Sequence, residues 1–136
     1  MRTRKKQKKF PAESVEIRFI KREKAGDWNT IKGGTFYYFE AWYKGKEIGD
    51  MSCYRIGKKM FVNTVYVKPT FRMCGVGRKL YEHILLTYGN ICTYYHQASE
   101  DAQRVWRYLA KNYIFEVEFF KDIIIIYKDP RQGLTT

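Results

Sequence analysis

Residues 65–80 constrain the fold more than any other part of this 136-residue chain. Residues that favour strands fill positions 61–67, and Pro69 ends the run because proline cannot donate to a strand ladder. Two close glycines follow, and after them apolar residues recur at helical spacing: Leu80, Tyr81, Ile84, Leu85 and Tyr88. The pattern predicts a strand, a glycine-containing turn and an amphipathic helix.

The start of the predicted helix is suited to bind phosphate. The first N–H groups of a helix lack intrahelical partners and lie at the positive end of its dipole. Gly75 and Gly77 leave the backbone bare there, and Arg72, Arg78 and Lys79 add positive charge. We therefore predict a phosphate or pyrophosphate site, although the spacing matches neither the P-loop nor the dinucleotide fingerprint. The plain alternative is a strand–turn–helix connection whose glycines serve only close packing.

With its flanks, the stretch reads V-x-V-x-P-x-x-R-x-x-G-x-G-x-x-L, which resembles the acyl-CoA-binding motif of the GNAT superfamily of N-acetyltransferases. The resemblance implies an α/β (α+β) fold: a central mixed, mostly antiparallel twisted sheet of six to seven strands with two main helices. It implies direct transfer of an acetyl group from acetyl-CoA, the co-substrate, to an amine. The residues that it implies in co-substrate binding are Val65, Tyr66, Val67, Arg72, Met73, Cys74, Gly75, Val76, Gly77, Arg78, Ser99 and Trp106.

Alternating apolar residues and turn residues predict the remaining elements. Strands 14–20, 35–43, 47–54 and 60–67 would be the first four, with residues 21–34 as a loop. After the first helix we expect a short strand 91–96, a second helix that Ser99 caps, and a hairpin of strands 115–119 and 123–128. Most family members carry one or two helices in place of the loop. The resemblance therefore implies an open, shallow acceptor groove, or one that a partner completes.

The catalytic acid and base depart from the family pattern. Members commonly use a glutamate on the strand before the motif or on the next strand, but the first has no acid and the matching position on the second holds Tyr94. The usual acid is a tyrosine seven residues after an asparagine. Counted from Ser99, that position holds Trp106, and Tyr108 follows two residues later.

Three residues are therefore candidates for catalysis: His96, Tyr108 and Tyr94. His96 suits the role of base, because a histidine is mostly neutral at pH 7 and strand alternation would place it on the side of Tyr94. The alternative base is an ordered water. The plain alternatives are that His96 is a polar residue closing a strand, and that the two tyrosines belong to the core or the rim.

The net charge of +12 is unevenly distributed. Residues 1–24 hold ten Lys or Arg against three Glu. We interpret residues 1–12 as a basic arm, 13–129 as the acetyltransferase-like domain and 130–136 as a loose tail. The arm is either a solubilising tail or a contact to a polyanion: a nucleic acid, aminoacyl-tRNA or nucleic-acid-bound protein. A polyamine acceptor is disfavoured because such cations need an acidic groove.

Cysteine and histidine usage limits the remaining classes. Three cysteines and two histidines without metal-ligand spacing argue against a disulfide framework or a metal site and favour a cytoplasmic protein. No apolar run has membrane-spanning length, so no membrane partner is expected. The preferred function is an N-acetyltransferase acting on an amine on or near a polyanion. The alternative is a catalytically silent protein of the same fold that binds nucleic acid or protein, and a homodimer stays open.

Overall fold

The computed structural model describes residues 12–24, 34–118 and 122–129. Within these residues seven strands form one sheet: β1 Glu16–Lys24, β2 Thr35–Tyr43, β3 Lys46–Ile56, β4 Lys59–Val67, β5 Asn90–Tyr94, β6 Ile114–Glu118 and β7 Ile123–Tyr127. The helices are α1 Val76–Tyr88 and α2 Glu100–Asn112, and short 3₁₀ turns occupy Ala12–Ser14, Pro69–Phe71 and Tyr95–Gln97.

The strand order in the sheet is β1-β2-β3-β4-β5-β7-β6. Neighbouring strands are antiparallel except β4 and β5, which are parallel. A parallel pair needs a long crossover connection, and α1 is that crossover. The predicted fold class is confirmed: a mixed, mostly antiparallel sheet with two main helices.

The first strand extends further than the sequence predicts. We expected a strand over 14–20 and a loop over 21–34, but β1 stays paired with β2 up to Lys24. An irregularity between Phe19 and Lys21 shifts the register by one residue, so the alternation of apolar and polar residues changes phase there. The predicted arm up to residue 11, residues 25–33, residues 119–121 and the predicted tail from residue 130 lie outside the described residues.

The main core lies between the sheet and both helices. Helix α1 contributes its predicted apolar face, and α2 contributes Trp106 and Leu109. The rings of Tyr81 and Trp106 meet edge to face with centroids 5.3 Å apart, which joins the two helices. The sheet side of this cluster includes Phe39, Met51, Met60, Ile91, Ile124 and Ile126. This packing fixes the first turn of α1 next to the end of β4.

A smaller cluster occupies the other face of the sheet. Strand β7 alternates between the faces, and its residues Ile123 and Ile125 belong to this second cluster, which has no helical member among the described residues. An aromatic row crosses three strands on this face: Tyr54 stacks on Phe61 at 5.1 Å, and Phe61 stacks on Tyr94 at 5.9 Å between ring centroids. This face is thus apolar at its centre and aromatic toward the end of β5.

Helix α1 also partly buries a histidine, His83, whose ring lies 5.9 Å from that of Phe39 between centroids. Burial lowers the pKa of His83, and the positive charge of Lys79 lowers it further. An ordinary histidine pKa is about 6.5, so the unfolded chain binds more protons here than the folded protein between the two values. The stability contributed by neutral His83 is therefore present above pH about 6.5 and is lost as the pH falls through the folded pKa.

Replacement of this histidine is expected to flatten the acid side of the stability profile. The free energy of unfolding should fall less between about pH 7.5 and about pH 5 in His83→Gln than in the wild type, because only the wild-type chain gains a proton there on unfolding. Urea titrations at several pH values measure this difference. Equal acid losses in both proteins would contradict it.

Candidate active site

Strands β4 and β5 part shortly after they begin. Over these two described strands the parallel register is limited to the pair Phe61 and Cys92. By contrast, β4 remains paired with β3 to its last residue. The second half of β4 therefore has a strand neighbour on one side and a gap on the other.

A bulge lies in β4 at the gap. Ser52 of β3 pairs with Thr64, whereas the next residue of β3 pairs with Val62, so Asn63 is the extra residue. Its Nδ2 donates to Ser52 Oγ at 3.1 Å, and Ser52 Oγ lies 2.6 Å from Thr64 Oγ1. A bulge increases the local twist of a strand, and it accounts for the divergence of β4 from β5.

The backbone at the end of β4 faces the gap. The N–H of Lys68 donates to the carbonyl of Ile48 in β3 at 2.9 Å. Successive residues of a strand direct their backbone groups to opposite sides. The groups of Val65 and Val67 therefore point away from β3, and the Val67 carbonyl accepts a hydrogen bond from Arg72 Nε at 2.8 Å. The backbone N–H and C=O groups of Val65 and Val67 therefore form the edge of β4 that faces the gap.

The glycine loop leads from this edge into α1 with two residues in the left-handed region. Met73 has φ of 62° and Gly75, the N-cap of α1, has φ of 86°. Alternation of such residues with ordinary ones turns successive N–H groups toward one side and forms a concave anion site. Met73 is 82% exposed, and its Sδ accepts a hydrogen bond from Arg104 Nη1 at 3.9 Å.

The N-terminus of α1 is open to an anion. Gly75 cannot cap with a side chain, and the first turn of α1 has no acidic residue. Helix α2 differs: Ser99 Oγ accepts the N–H of Ala102 at 3.2 Å, which confirms the predicted cap. Apart from its two chain neighbours and the nearby backbone of α1 itself, no described residue has an atom within 4 Å of the position that a Cβ on Gly77 would take. The first turn of α1 therefore has both free N–H groups and room for a phosphate.

The end of β4, the loop and α2 enclose a cleft of about 1010 Å³. Ten of the twelve residues that the sequence suggests for co-substrate binding line it, and so does the candidate Tyr108. Those ten are Val65, Tyr66, Val67, Arg72, Met73, Cys74, Gly75, Gly77, Arg78 and Ser99. The cleft thus joins a free strand edge to a free helix N-terminus, which together suit a long ligand that carries phosphate at one end.

Two predicted co-substrate residues lie in the core instead. Trp106 is fully buried and Val76 is 1% exposed, so neither side chain lines the cleft. Positions 106 and 108 are about 200° apart around a helix, so only one of them can face the cleft. Apolar packing against Tyr81 draws Trp106 inward, and Tyr108 then faces outward.

The cations near the loop are engaged by other groups of the protein. Arg78 lies over the ring of Tyr108, with Cζ 4.4 Å from the centroid, and its Nε is 3.8 Å from Glu82 Oε1. Lys79, expected from the sequence to add charge at the phosphate, instead donates from Nζ to the carbonyls of Ala12 and Glu13, both at 2.9 Å. The described loop therefore presents mainly backbone N–H groups to an anion.

The other two catalytic candidates lie outside the lining of the cleft. Tyr94 stacks on Phe61 on the second face of the sheet. His96 was expected to continue the alternation of a strand over 91–96, and this was wrong: β5 ends at Tyr94 and a 3₁₀ turn follows. The Ala98 N–H donates to the Tyr95 carbonyl at 3.1 Å and closes the turn, and the Tyr95 N–H donates to the Asp122 carbonyl at 2.9 Å.

The same turn gives His96 an acidic partner. Asp122 Oδ1 contacts His96 Nδ1, and Asp122 Oδ2 accepts the His96 backbone N–H at 2.8 Å. The imidazole is 79% exposed, so Nε2 is open to solvent at the end of β5. A carboxylate on Nδ1 favours the tautomer in which Nε2 is free to accept a proton.

Several residues of the cleft were not found by sequence reasoning. Ala12 and Glu13 form one wall although they lie more than 60 residues before the loop in the chain. Tyr81, Ala102 and Val105 also line the cleft. Helical spacing could have identified the last two, because they share one face of α2 with Tyr108. No local pattern indicates the first two.

Comparison with protein families agrees with this geometry. Residues 4–110 match the model of the acetyltransferase (GNAT) family. No curated protein matches the chain. A match over this much of the sequence shows that the chain belongs to the GNAT acetyltransferase family.

Solved structures of the same family share the fold. The IAA acetyltransferase from Bacillus cereus ATCC 14579 has a TM-score of 0.52 and 18% identity, covering 83% of this chain and 97% of its own. A GNAT family acetyltransferase from Elizabethkingia anophelis with acetyl-CoA bound has a TM-score of 0.51 and 15% identity, covering 84% of this chain and 97% of its own. The PaiA N-acetyltransferase from Thermoplasma acidophilum in complex with coenzyme A has a TM-score of 0.50 and 19% identity, covering 69% of this chain and 61% of its own.

Family membership makes the chain an acyltransferase by class, with acetyl-CoA as its co-substrate. The free N–H groups and the space at Gly77 fit the phosphates of that molecule. Neither helix of the described part is long and apolar enough to cross a membrane. Among the same residues, no group of three or more His, Cys, Asp or Glu is placed to hold a metal ion.

Substitution of Gly77 tests the phosphate end of the cleft. Gly77→Glu places a carboxylate in the open space beside the free N–H groups, where like charge repels phosphate. We expect calorimetry to show CoA affinity at least about 100-fold weaker, with an unchanged circular dichroism spectrum. The matched control is Thr87→Glu, which adds the same charge at an exposed position near the other end of α1. Equal affinities of the two variants would refute the placement.

Proposed function

We propose that this protein transfers the acetyl group of acetyl-CoA to an amine acceptor that lies on or near a polyanion. The observation that carries the proposal is the junction of a free β4 edge with the uncapped N-terminus of α1 in one cleft. A plain strand–turn–helix connection would not need an open strand edge or empty space at Gly77. The geometry therefore supports a binding role for the loop.

The roles of the backbone follow from this arrangement. Acetyl-CoA supplies the acetyl group as a thioester. The N–H groups at the start of α1, between Gly75 and Arg78, hold phosphate. The backbone groups of Val65 and Val67 bind an extended chain as an added strand would. An N–H of the same edge donates to a carbonyl oxygen on which negative charge develops.

We assign the base to His96, with Asp122 as its positioning residue. An attacking amine must be neutral, so a group near it has to accept a proton at neutral pH. Asp122 holds the imidazole through Nδ1 and through the backbone N–H, which leaves Nε2 as the acceptor. His96 lies outside the lining of the cleft, so this assignment requires the acceptor to approach from the end of β5 rather than from the phosphate end.

Tyr108 is the candidate acid. It lines the cleft on α2, under the guanidinium of Arg78. A thiolate leaving group has an ordinary pKa of about 8.5, so its protonation assists the reaction but is not essential at neutral pH. Tyr94 is a weaker candidate because its ring stacks on Phe61 on the second face.

Charge supports an anionic acceptor. The chain carries a net charge of +12, and six of its cations lie within residues 2–9, where no acid accompanies them. Such a surface attracts nucleic acid, aminoacyl-tRNA or a nucleic-acid-bound protein and repels small cationic acceptors. On the described meander, Glu40 and Asp50 pair across β2 and β3, and this is a small acidic patch by comparison.

The second candidate function is a catalytically silent member of the family that binds nucleic acid or protein. Strand β4 has no acidic side chain, and Trp106 replaces the tyrosine that the family resemblance would place there. Both departures remove groups that family members commonly use for catalysis. They favour this alternative unless His96 serves as the base.

Acetylation of a cell extract tests the proposal. The full chain is incubated with isotopically labelled acetyl-CoA and extract, and labelled products are identified by mass spectrometry. We expect a labelled amine in the nucleic-acid-associated fraction, and its loss when the extract is first treated with nuclease. Label only on polyamines or other small cations would exclude the polyanion, and no label with intact CoA binding would favour the silent alternative.

Variants of the two positioned residues test the assignment of the base. His96→Gln should lower kcat by about 10²-fold or more and leave the KM for acetyl-CoA unchanged. Asp122→Asn should lower kcat less, because the imidazole remains in place but loses the carboxylate that orients it through Nδ1. His83→Gln is the matched control with the other histidine. Full activity of His96→Gln would remove His96 from the mechanism.

A further inference from the structure

One face of α2 carries a row of cations, the α2 stripe. Arg104, Arg107 and Lys111 are exposed and follow one another at intervals of three and four residues. At about 100° per residue these side chains fall within about 60° of one another around the helix, and at about 1.5 Å per residue they extend over about 10 Å. The opposite face of α2 buries Trp106 and Leu109 in the core. Packing therefore holds the stripe in a fixed orientation toward solvent.

The α2 stripe keeps its charge for a partner. From Ala102 to its last residue, α2 contains no acidic residue. Within residues 12–24, 34–118 and 122–129, neither Arg107 nor Lys111 forms an ion pair. Arg104 lies 3.5 Å from Asp101, but both side chains are more than half exposed, and a surface pair of this kind is weak. All three cations are thus available to an anion.

The stripe lies beside the turn that holds the proposed base. Arg107 Nη1 donates to the Tyr95 hydroxyl at 3.4 Å. The ring of Tyr95 in turn meets the ring of His96 edge to face, with centroids 5.6 Å apart. Gln103 Nε2 donates to the Tyr95 carbonyl at 3.2 Å, which ties α2 to the same turn. A ligand bound along the stripe therefore passes next to His96.

The first cation of the stripe also borders the cleft. Arg104 is one of the lining residues, and its Nη1 contacts Met73 Sδ of the glycine loop at 3.9 Å. Arg107 and Lys111 lie outside the lining. The stripe thus extends from the rim of the cleft along α2, and two of its three cations do not belong to the co-substrate site.

We propose that the α2 stripe binds the phosphate backbone of the nucleic acid that carries or accompanies the acceptor amine. Phosphates follow one another about 3.4 Å apart along one strand of a duplex, so a stripe of about 10 Å spans about three of them. Arginine and lysine donate charge-assisted hydrogen bonds to phosphate oxygens, and such contacts position a nucleic acid without reading its bases. The inference rests on the proposed function and names the surface that brings the polyanion to the turn with His96.

The salt dependence of nucleic-acid binding tests the stripe on the full chain. The probes are unacylated tRNA and a duplex DNA, each titrated without acetyl-CoA at several salt concentrations. Each lost phosphate contact reduces the steepness of log K against log salt by about 0.7–0.9. Changing Arg104, Arg107 and Lys111 to Gln should therefore reduce it by about 2–3, with an unchanged circular dichroism spectrum. A reduction with tRNA alone assigns the stripe to RNA, and one with the duplex alone assigns it to DNA.

A matched triple variant separates a local contact from the effect of net charge. Changing Arg22, Lys24 and Lys58 to Gln removes the same charge from exposed positions outside the cleft lining. Lys58 precedes the first residue of β4, whereas the cleft lies at the last residues of that strand. This control should keep the wild-type salt dependence. Equal reductions in the two triple variants would show an effect of net charge only and overturn the inference.

Single substitutions separate the phosphate contact from the hydrogen bond to Tyr95. Arg107→Gln should reduce the steepness by about 0.7–0.9, whereas Arg107→Lys, which keeps the charge, and Tyr95→Phe, which removes the hydroxyl, should not. An equal reduction in Tyr95→Phe would indicate a structural effect and overturn the contact. If the wild type binds neither probe, the polyanion of the proposed function fails as well. If it binds them and the stripe variant keeps the wild-type salt dependence, only this inference fails.

Discussion

The unpaired edge of β4 is the constraint on which the site depends. A backbone N–H or C=O that is buried without a partner costs about 1–3 kcal/mol, so a strand that loses its neighbour must face water or a ligand. Here the bulge at Asn63 turns β4 away from β5, and the edge at Val65 and Val67 opens into a cleft rather than into the core. Because backbone groups form this edge, the side chains of both valines are free to pack partly against the core.

Packing of α1 places the second half of the site. Leu80, Ile84 and Leu85 are fully buried, and burial of one such side chain contributes about 1.5–3 kcal/mol. Glycine inside a helix costs about 0.5–1 kcal/mol relative to alanine, and Gly77 lies inside α1. Its position has ordinary φ and no described neighbour within 4 Å of a Cβ, so the fold does not require glycine there. Access of a ligand to the backbone accounts for a residue that the helix alone would disfavour.

Short stretches of the sequence predicted the elements whose structure depends on neighbouring residues. The strand, turn and helix of residues 65–80 and the Ser99 cap could be predicted because each depends on residues close together in the chain. The fold class was instead implied by the resemblance to the GNAT superfamily. The 3₁₀ turn at His96 could not, since it depends on hydrogen bonds to Asp122, 26 residues later. The hydrogen bond from Lys79 Nζ to the Ala12 carbonyl joins residues 67 positions apart, and a sequence pattern does not predict such a contact. Trp106 and Tyr108 point in nearly opposite directions because they are two residues apart on a helix. The packing of Trp106 against Tyr81 determines that Trp106 is the buried one.

The arrangement at β5 also limits how an acceptor can lose its proton. Strand β4 carries no acid, and the ring of Tyr94 is held against Phe61 on the second face of the sheet. The turn after β5 instead brings the exposed His96 together with the carboxylate of Asp122, which lies 26 residues later in the chain. Backbone hydrogen bonds from Tyr95 and His96 to Asp122 anchor this contact. The proposed phosphate site lies at the first turn of α1, where the side chains of Lys79 and Arg78 are engaged by protein groups. The proposed base and the proposed phosphate site thus belong to different elements: the turn that follows β5, and the first turn of α1.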